Sequence, residues 1–384
     1  MSTPRNSVPA TAQTQNAQVW QAARRVLAVR LDSLGDLLMT GPALRALKEQ
    51  GEGRTLTLLT SPAGAQAAQL LPFVDDVIVH RAPWMKPEPD GPGLSAHLEL
   101  LEGLQARRFD AAVIFTVFSQ SPLPAALTLY LAGIPLRLAY SRENPYHLLS
   151  DWAAETEPQE GIGHEVERHL RLVSQVGVTW NSDRLVATPR PGARRSVARL
   201  LNRLGLGNRD DWYVLHPGAS ASSRRYPPEL YARAVRELAG RYGLTPLFTG
   251  SEEERELTGR VRRQANGAGI DLAGKLDLHE LTALIERAPL LITNNTGPAH
   301  IAAGTGTPVV SLYALTNPQH TPWRIPAQIL NYDVPCRNCF KSICPEGHQL
   351  CLRGVAPGRI VGAAAQLLGR EPLEGEVKAS AAAS

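Results

Sequence analysis

Two doubly wound α/β domains joined by a polar linker form the fold class that the sequence predicts. Short apolar runs alternate with amphipathic helical patterns along most of the chain, the pattern of a parallel sheet covered by helices. That alternation pauses once, at Thr179–Gly192, a polar stretch containing Pro189 and Pro191. The length of 384 residues also suits two domains rather than one. A hydrophobic fraction of 43% against 20% charged residues is that of a globular chain with a core. Extensive disorder, collagen-like sequence and a disulfide scaffold are excluded.

The elements follow in order. Val26–Arg30 predicts a strand and Asp36–Gln50 a helix, followed by strand Thr55–Leu59, helix Ala63–Leu71 and strand Val77–Val79. Leu94–Ala106 reads as a helix and Ala111–Phe115 as a strand. His164–Val176 predicts another helix, because Val166, Leu170 and Val173 fall on one face. After the linker come helix Ala193–Leu204, strand Tyr213–His216, helix Pro227–Tyr242, strand Pro246–Thr249 and helix Glu252–Asn266. Strand Ile270–Leu272, helix Leu278–Glu286, strand Leu290–Thr293, helix Pro298–Gly304 and strand Val309–Tyr313 close the series, and Pro357–Leu368 is the last helix. The expected organisation is a disordered leader over residues 1–22, a first domain over 23–185 and a second over 193–356. A cysteine-rich loop spans 335–352, a C-terminal helix spans 357–370 and returns to the first domain, and a disordered tail covers 371–384. Such sheets bind ligands beyond the carboxyl ends of their strands, which directs attention to an interdomain cleft.

Charge and hydropathy narrow the class of partner. A net charge of +4 suits an anionic ligand but is far from the basic stripe of a nucleic-acid binder. The leader lacks the apolar core of an export signal. The longest hydrophobic charge-free stretch, Ala111–Leu136, is broken by Ser119, Gln120, Ser121, Pro122 and Pro124, so it predicts a strand, a turn and a helix rather than a membrane span. The expectation is a cytoplasmic protein with no transmembrane segment, which leaves room for peripheral contact with a membrane.

Several phosphate and nucleophile motifs are missing. The chain has no G-x-G-x-x-G, no G-x-x-x-x-G-K-[ST], no H-E-x-x-H and no G-x-S-x-G. Nor does it contain the Asp-x-Asp with which metal-dependent sugar transferases hold a cation. A diphosphate would therefore be held by main-chain amides and cationic side chains.

Three strand ends supply such groups. Asn294-Asn295-Thr296-Gly297-Pro298-Ala299-His300 runs from a strand into a helix, with Thr296 placed as N-cap and Pro298 in the first turn. Its helix N-terminus offers N–H groups and a positive dipole end to a phosphate, although a merely well-capped helix would look the same. Asp36 follows Gly35 where the first helix begins, as a cap or as a carboxylate able to take a proton from an alcohol. His216-Pro217-Gly218-Ala219-Ser220 ends the first strand of the second half, and Arg224-Arg225 follow, suited to bidentate pairing with phosphate oxygens or simply solvated.

Together, the stretches LAVRLDSLGDLLMTGPALRAL (27–47), HPGASASSRRYP (216–227) and ITNNTGPAHIAAGTGTPVVSLYALTNP (292–318), with FTGSEE (248–253), closely resemble glycosyltransferase family 9, the heptosyltransferase-like enzymes. The resemblance spans roughly Val26 to Leu368. It implies a GT-B fold of two Rossmann-like domains facing a cleft, and an inverting, metal-independent transfer of heptose or a related sugar from an ADP-linked donor to a glycan or glycolipid acceptor of the lipopolysaccharide-core type. It further implies Asp36 as general base and Arg224 as the cation balancing the diphosphate. Glu252 would contact the ribose, while Thr296, Gly297 and His300 bind diphosphate and donor sugar, with Ser220 and Asn295 alongside. Asn295 replaces an Asp usual in this family, keeping hydrogen-bonding capacity without the charge, and Arg224 replaces a Lys. A nucleotide-sugar epimerase on the same fold and a non-catalytic nucleotide-sugar-binding scaffold are the alternatives.

All four cysteines, Cys336, Cys339, Cys344 and Cys351, fall in one loop as C-x2-C-x4-C-x6-C, with His348 among them. Structural zinc, reduced thiols and disulfides are the three states open to them, none with a catalytic role.

Overall fold

The computed structural model describes residues 17–85, 93–207 and 209–370. The chain divides between Asp183 and Arg184 into two compact units, each with its own sheet.

The first unit is a six-stranded sheet of β1 (Arg25–Arg30), β2 (Thr55–Thr60), β3 (Asp76–Val79), β4 (Ala111–Ile114), β5 (Leu136–Ser141) and β6 (Asp151–Ala154). Its strands are all parallel, in the order β3-β2-β1-β4-β5-β6. Helices α1 (Leu34–Glu49), α2 (Pro62–Ala68), α3 (Leu94–Arg107), α4 (Leu123–Leu131) and α5 (Glu165–Ser174) accompany it. The central strands are buried on both faces, which is why β1 and β2 read as apolar runs rather than alternations. Leu27, Val29, Ile114, Ala126 and Leu129 form one core. Helix α1 packs against both α2 and α5, and buries Leu37, Leu38, Met39, Leu44 and Leu47.

The second unit repeats the arrangement. Its strands are β7 (Trp212–His216), β8 (Thr245–Phe248), β9 (Ile270–Asp271), β10 (Leu291–Asn294), β11 (Val309–Leu312) and β12 (Ala327–Leu330). The sheet order is β12-β11-β10-β7-β8-β9, again parallel throughout. Helices α6 (Pro191–Arg203), α7 (Pro228–Tyr242), α8 (Arg255–Gln264), α9 (Leu278–Arg287), α10 (Gly297–Thr305), α11 (Leu350–Arg353) and α12 (Pro357–Leu367) complete it. Tyr213, Leu215, Val235, Phe248, Ile292 and Val310 lie in its core. In each sheet the order reverses beside the first strand, at β1/β4 and at β7/β10, and such switch points are where doubly wound sheets take ligands.

The structure departs from several expectations. Residues 17–22 of the expected leader are helical, with Trp20 buried and its Nε1 donating to Asp151 Oδ2 at 3.0 Å. Residues 1–16 and the tail 371–384 lie outside the described residues. The linker is not a free polar stretch after Asp183, since Leu185 and Ala187 are buried and Ala187 N donates to Gly304 O at 3.2 Å. Helix α12 packs on α7, β11 and β12 of the second unit, where Ile360, Val361 and Ala364 join that core.

Candidate functional site

In the first unit the chain leaves β1 through Leu31-Asp32-Ser33 and enters α1. Ser33 is the N-cap and Asp36 the third helical residue, whose Oδ2 accepts from Ser33 N at 3.0 Å and from Ser33 Oγ. Asp36 therefore forms half of a capping box, which fixes its carboxylate at the carboxyl end of β1. Beneath it lies Arg30, a fully buried guanidinium whose Nη2 stands 3.7 Å from Asp36 Oδ1. Arg30 Nε is 3.0 Å from Asp32 Oδ2, and its Nη2 reaches Glu165 Oε2 of α5 at 3.5 Å. Its Nη1 lies 3.2 Å from His169 Nε2, which is itself 3.1 Å from Glu165 Oε2. Burial drives the His169 pKa down to about 4, so the imidazole is neutral at neutral pH. From the end of β4, Gln120 Nε2 donates to Asp32 Oδ1 at 2.7 Å, tying the two sides of the switch point together. The sequence pointed to Asp36 but not to Glu165 or His169, which lie on a helix more than a hundred residues away.

In the second unit, Asn294 closes the switch point. Its Nδ2 donates to Pro217 O and Gly218 O at 2.8 and 3.1 Å, and its Oδ1 accepts from Tyr226 N and Tyr231 Oη at 3.1 and 3.0 Å. Its neighbour Asn295 is buried too, but neither amide atom finds a hydrogen bond of acceptable geometry. Thr296 occupies the N-cap of α10 without a capping side-chain bond, so it leaves the first-turn amides uncovered by its hydroxyl. His300 is buried in the next turn of that helix. Arg224 ends a 3₁₀ turn, Ser222–Arg224, and acts electrostatically on Tyr313, whose pKa is pushed up by burial and drawn back by His320, Arg224 and Asn295. Ser220 is exposed in the turn after β7. Gln319, which the sequence did not single out, is buried near the end of β11 with an unpartnered Oε1.

Two of the three glutamates after β8 differ in where they lie. Glu252 is largely exposed and pairs with Arg255 at 2.7 Å. Glu254 instead turns back over the ends of β7 and β8, with Oε2 3.7 Å from His216 Nε2 and accepting from Ser251 N at 3.0 Å. A Cβ on Gly218 would lie 2.0 Å from Glu254 Oε1, so this glycine makes room for the carboxylate. Three consecutive glutamates gave no sequence signal by which to choose among them.

The cysteine loop is held through its backbone. Ser223 N and Oγ donate to Ser342 O and Lys341 O at 3.1 and 2.8 Å, while Asn338 N and Phe340 N donate to Leu315 O and Thr316 O. The four thiols are free and half-buried, and burial pushes the Cys351 thiol up. Among the described residues, no three His, Cys, Asp or Glu side chains are grouped to hold a metal. Nor, among the described residues, is any helix long and apolar enough to cross a membrane.

Comparison with known proteins decides the family: the model for glycosyltransferase family 9 (heptosyltransferase) matches residues 97–350, more than half of the chain. The protein belongs to glycosyltransferase family 9. It is accordingly a glycosyltransferase, and the two parallel sheets match the GT-B fold of family 9 structures. The glycosyltransferase of this family from Veillonella parvula is 24% identical with a TM-score of 0.76, covering 90% of this chain and 97% of its own. The ADP-heptose lipopolysaccharide heptosyltransferase II of Escherichia coli gives 22% and 0.69, covering 90% and 98%. In sequence, lipopolysaccharide heptosyltransferase 2 of E. coli K12 is 22% identical over 352 residues, 88% of this chain and 96% of the relative.

Proposed function

We propose that this family 9 enzyme transfers heptose, with inversion, from an ADP-linked donor to a lipopolysaccharide-core-type glycan. The observation that carries the donor half is the buried amide of Asn295, neither atom of which makes a hydrogen bond of acceptable geometry among the described residues, beside the start of α10, where the Thr296 hydroxyl makes no capping bond. A buried amide left short of hydrogen bonds costs up to about 1–3 kcal/mol, which a bound ligand would recover. The relatives support the sugar and nucleotide: several are named lipopolysaccharide or lipooligosaccharide heptosyltransferases, and E. coli WaaC, with a TM-score of 0.60, was crystallised with ADP-2-deoxy-2-fluoro heptose.

In this reading the second unit holds the donor. The diphosphate takes the amides of Thr296 and Gly297 and the guanidinium of Arg224, the donor sugar takes Asn295 and His300, and Glu254 replaces Glu252 as the candidate for the ribose hydroxyls. Asp36 of the first unit accepts the proton of the acceptor hydroxyl as its oxygen bonds to the anomeric carbon. The bond from that carbon to the diphosphate oxygen breaks in the same displacement, and ADP leaves with the electron pair. Arg224 and the α10 amides stabilise the growing charge on the leaving group, so the chain's own residues carry that role without a catalytic metal.

A thermal-shift panel of ADP, UDP, GDP and CMP, each with EDTA and with magnesium, tests the proposal. Selective stabilisation by ADP in EDTA is expected. A preference for UDP or GDP would overturn the donor assignment, and dependence on magnesium would overturn the metal-free one.

A further inference from the structure

Arg30 lies among three carboxylates, and only one of them has a part in the chemistry above. Asp32 from the β1–α1 turn, Asp36 from α1 and Glu165 from α5 approach the same buried guanidinium at 3.0, 3.7 and 3.5 Å. His169 is neutral, while Arg168 of α5 binds Glu155 Oε1 at 3.0 Å, stands 3.7 Å from Glu157 Oε1 and also acts electrostatically on Glu165. Arg30 is thus divided among three carboxylates, of which Glu165 also feels the Arg168 guanidinium.

We propose that Asp32 and Glu165 are positioning residues that compete with Asp36 for Arg30, and so keep Asp36 a stronger base than an isolated Arg–Asp pair would provide. The inference rests on Asp36 being the base of the transfer. A carboxylate paired with its own guanidinium is stabilised as the anion and accepts a proton poorly. Dividing the guanidinium among three carboxylates, and setting two like charges nearby, restores that affinity, and a more basic carboxylate is a better general base for an alcohol. Burial pushes the Asp32 pKa up against the pull of Arg30, and the charges of Asp36 and Glu165 add to the rise. Charge–charge coupling is reciprocal, so Asp32 acts on Asp36 as Asp36 acts on Asp32. The Gln120 hydrogen bond fixes Asp32 in that place.

The test is a carbon-13 titration of the full-length protein labelled at aspartate carboxyl carbons, without ligand, with the Asp36 signal identified by its loss in Asp36→Asn. Asp32→Asn and Glu165→Gln should each lower the Asp36 midpoint by about half a pH unit or more. The acid limb of kcat/KM, read with ADP-heptose and a core-glycan acceptor, should move down with it. Residues with a merely structural role would lower the rate and leave the midpoint in place. A midpoint that stays put or rises in these variants overturns the proposal, and Asp32→Ser replaces Asp32→Asn if asparagine prevents folding. If Asp36→Asn keeps full activity, the assignment of the base fails instead, and the titration still decides the electrostatic claim.

Discussion

Asn294 and Asn295 are adjacent, identical and both buried, yet one is saturated with hydrogen bonds and the other has none of acceptable geometry. Asn294→Ala should therefore cost about 2–5 kcal/mol of stability, because it strands the Tyr226 N–H, the Tyr231 hydroxyl and two carbonyls. Asn295→Ala should cost little stability and instead weaken binding of ADP-heptose, measured by calorimetry beside denaturant unfolding. The reverse pattern would remove Asn295 from the donor site. Residue types were legible in the sequence here, but saturation was not, since it depends on carbonyls and tyrosines some 60–80 positions away. The same holds for His169, which helical spacing gave no reason to single out. Its depressed pKa of about 4 means that the unfolded chain binds a proton that the folded chain refuses. Its contribution is intact above about pH 6.5 and lost as pH falls towards 4, up to on the order of 3 kcal/mol. His169→Gln should flatten that part of the stability–pH curve in urea titrations, and an unchanged slope would contradict a buried neutral imidazole.

At the scale of elements, the sequence showed most strands and helices to within a few residues, because buried parallel strands read as apolar runs and their covering helices as one-sided stripes. It missed β5, β6 and β12. Strand β5 carries Arg137, a charge that argues against a buried strand; the structure buries it by giving Nε and Nη2 to the carbonyls of Leu148 and His147 at 2.8 Å each. Strand β6 is four residues long and β12 equally short, both on sheet edges with little periodicity to detect. Helix α10 shows how an element sets the site. A Cβ on Gly304 would lie 2.8 Å from Ala187 N, 2.7 Å from Ala187 Cβ and 3.0 Å from the Val186 carbonyl carbon, so the helix sits flush on the segment after the unit boundary. Backbone cannot yield as a side-chain tip can. Gly304→Ala should destabilise by about 1–3 kcal/mol and weaken ADP binding by shifting the helix start. Full stability together with full ADP affinity would show that this contact does not position α10.

Over the whole molecule, one strand order occurs twice, and each copy brings a different chemistry to its switch point. At β1/β4 the groups are anionic, three carboxylates about one guanidinium; at β7/β10 they are amides, Arg224 and a helix N-terminus. This asymmetry supports the proposal that the second unit takes the anionic donor, because the carboxylates of the first would repel a diphosphate. Composition and the single pause in the α/β pattern made the two-sheet architecture legible, and the strand-end motifs marked both switch points. The charge difference between them was not legible, since Glu165 joins the first cluster only through folding. Hydrogen exchange with mass spectrometry on the full-length protein separates the roles of the two units. Saturating ADP should slow exchange in peptides covering 216–225, 250–255 and 294–301, and leave those covering 30–37 and 165–170 unchanged. Because helix N-termini and strand-end turns open locally at low cost, a ligand that bridges them raises protection there first. Protection confined to 30–37 would reverse the donor and acceptor assignments, since the nucleotide would then be sitting on the carboxylates.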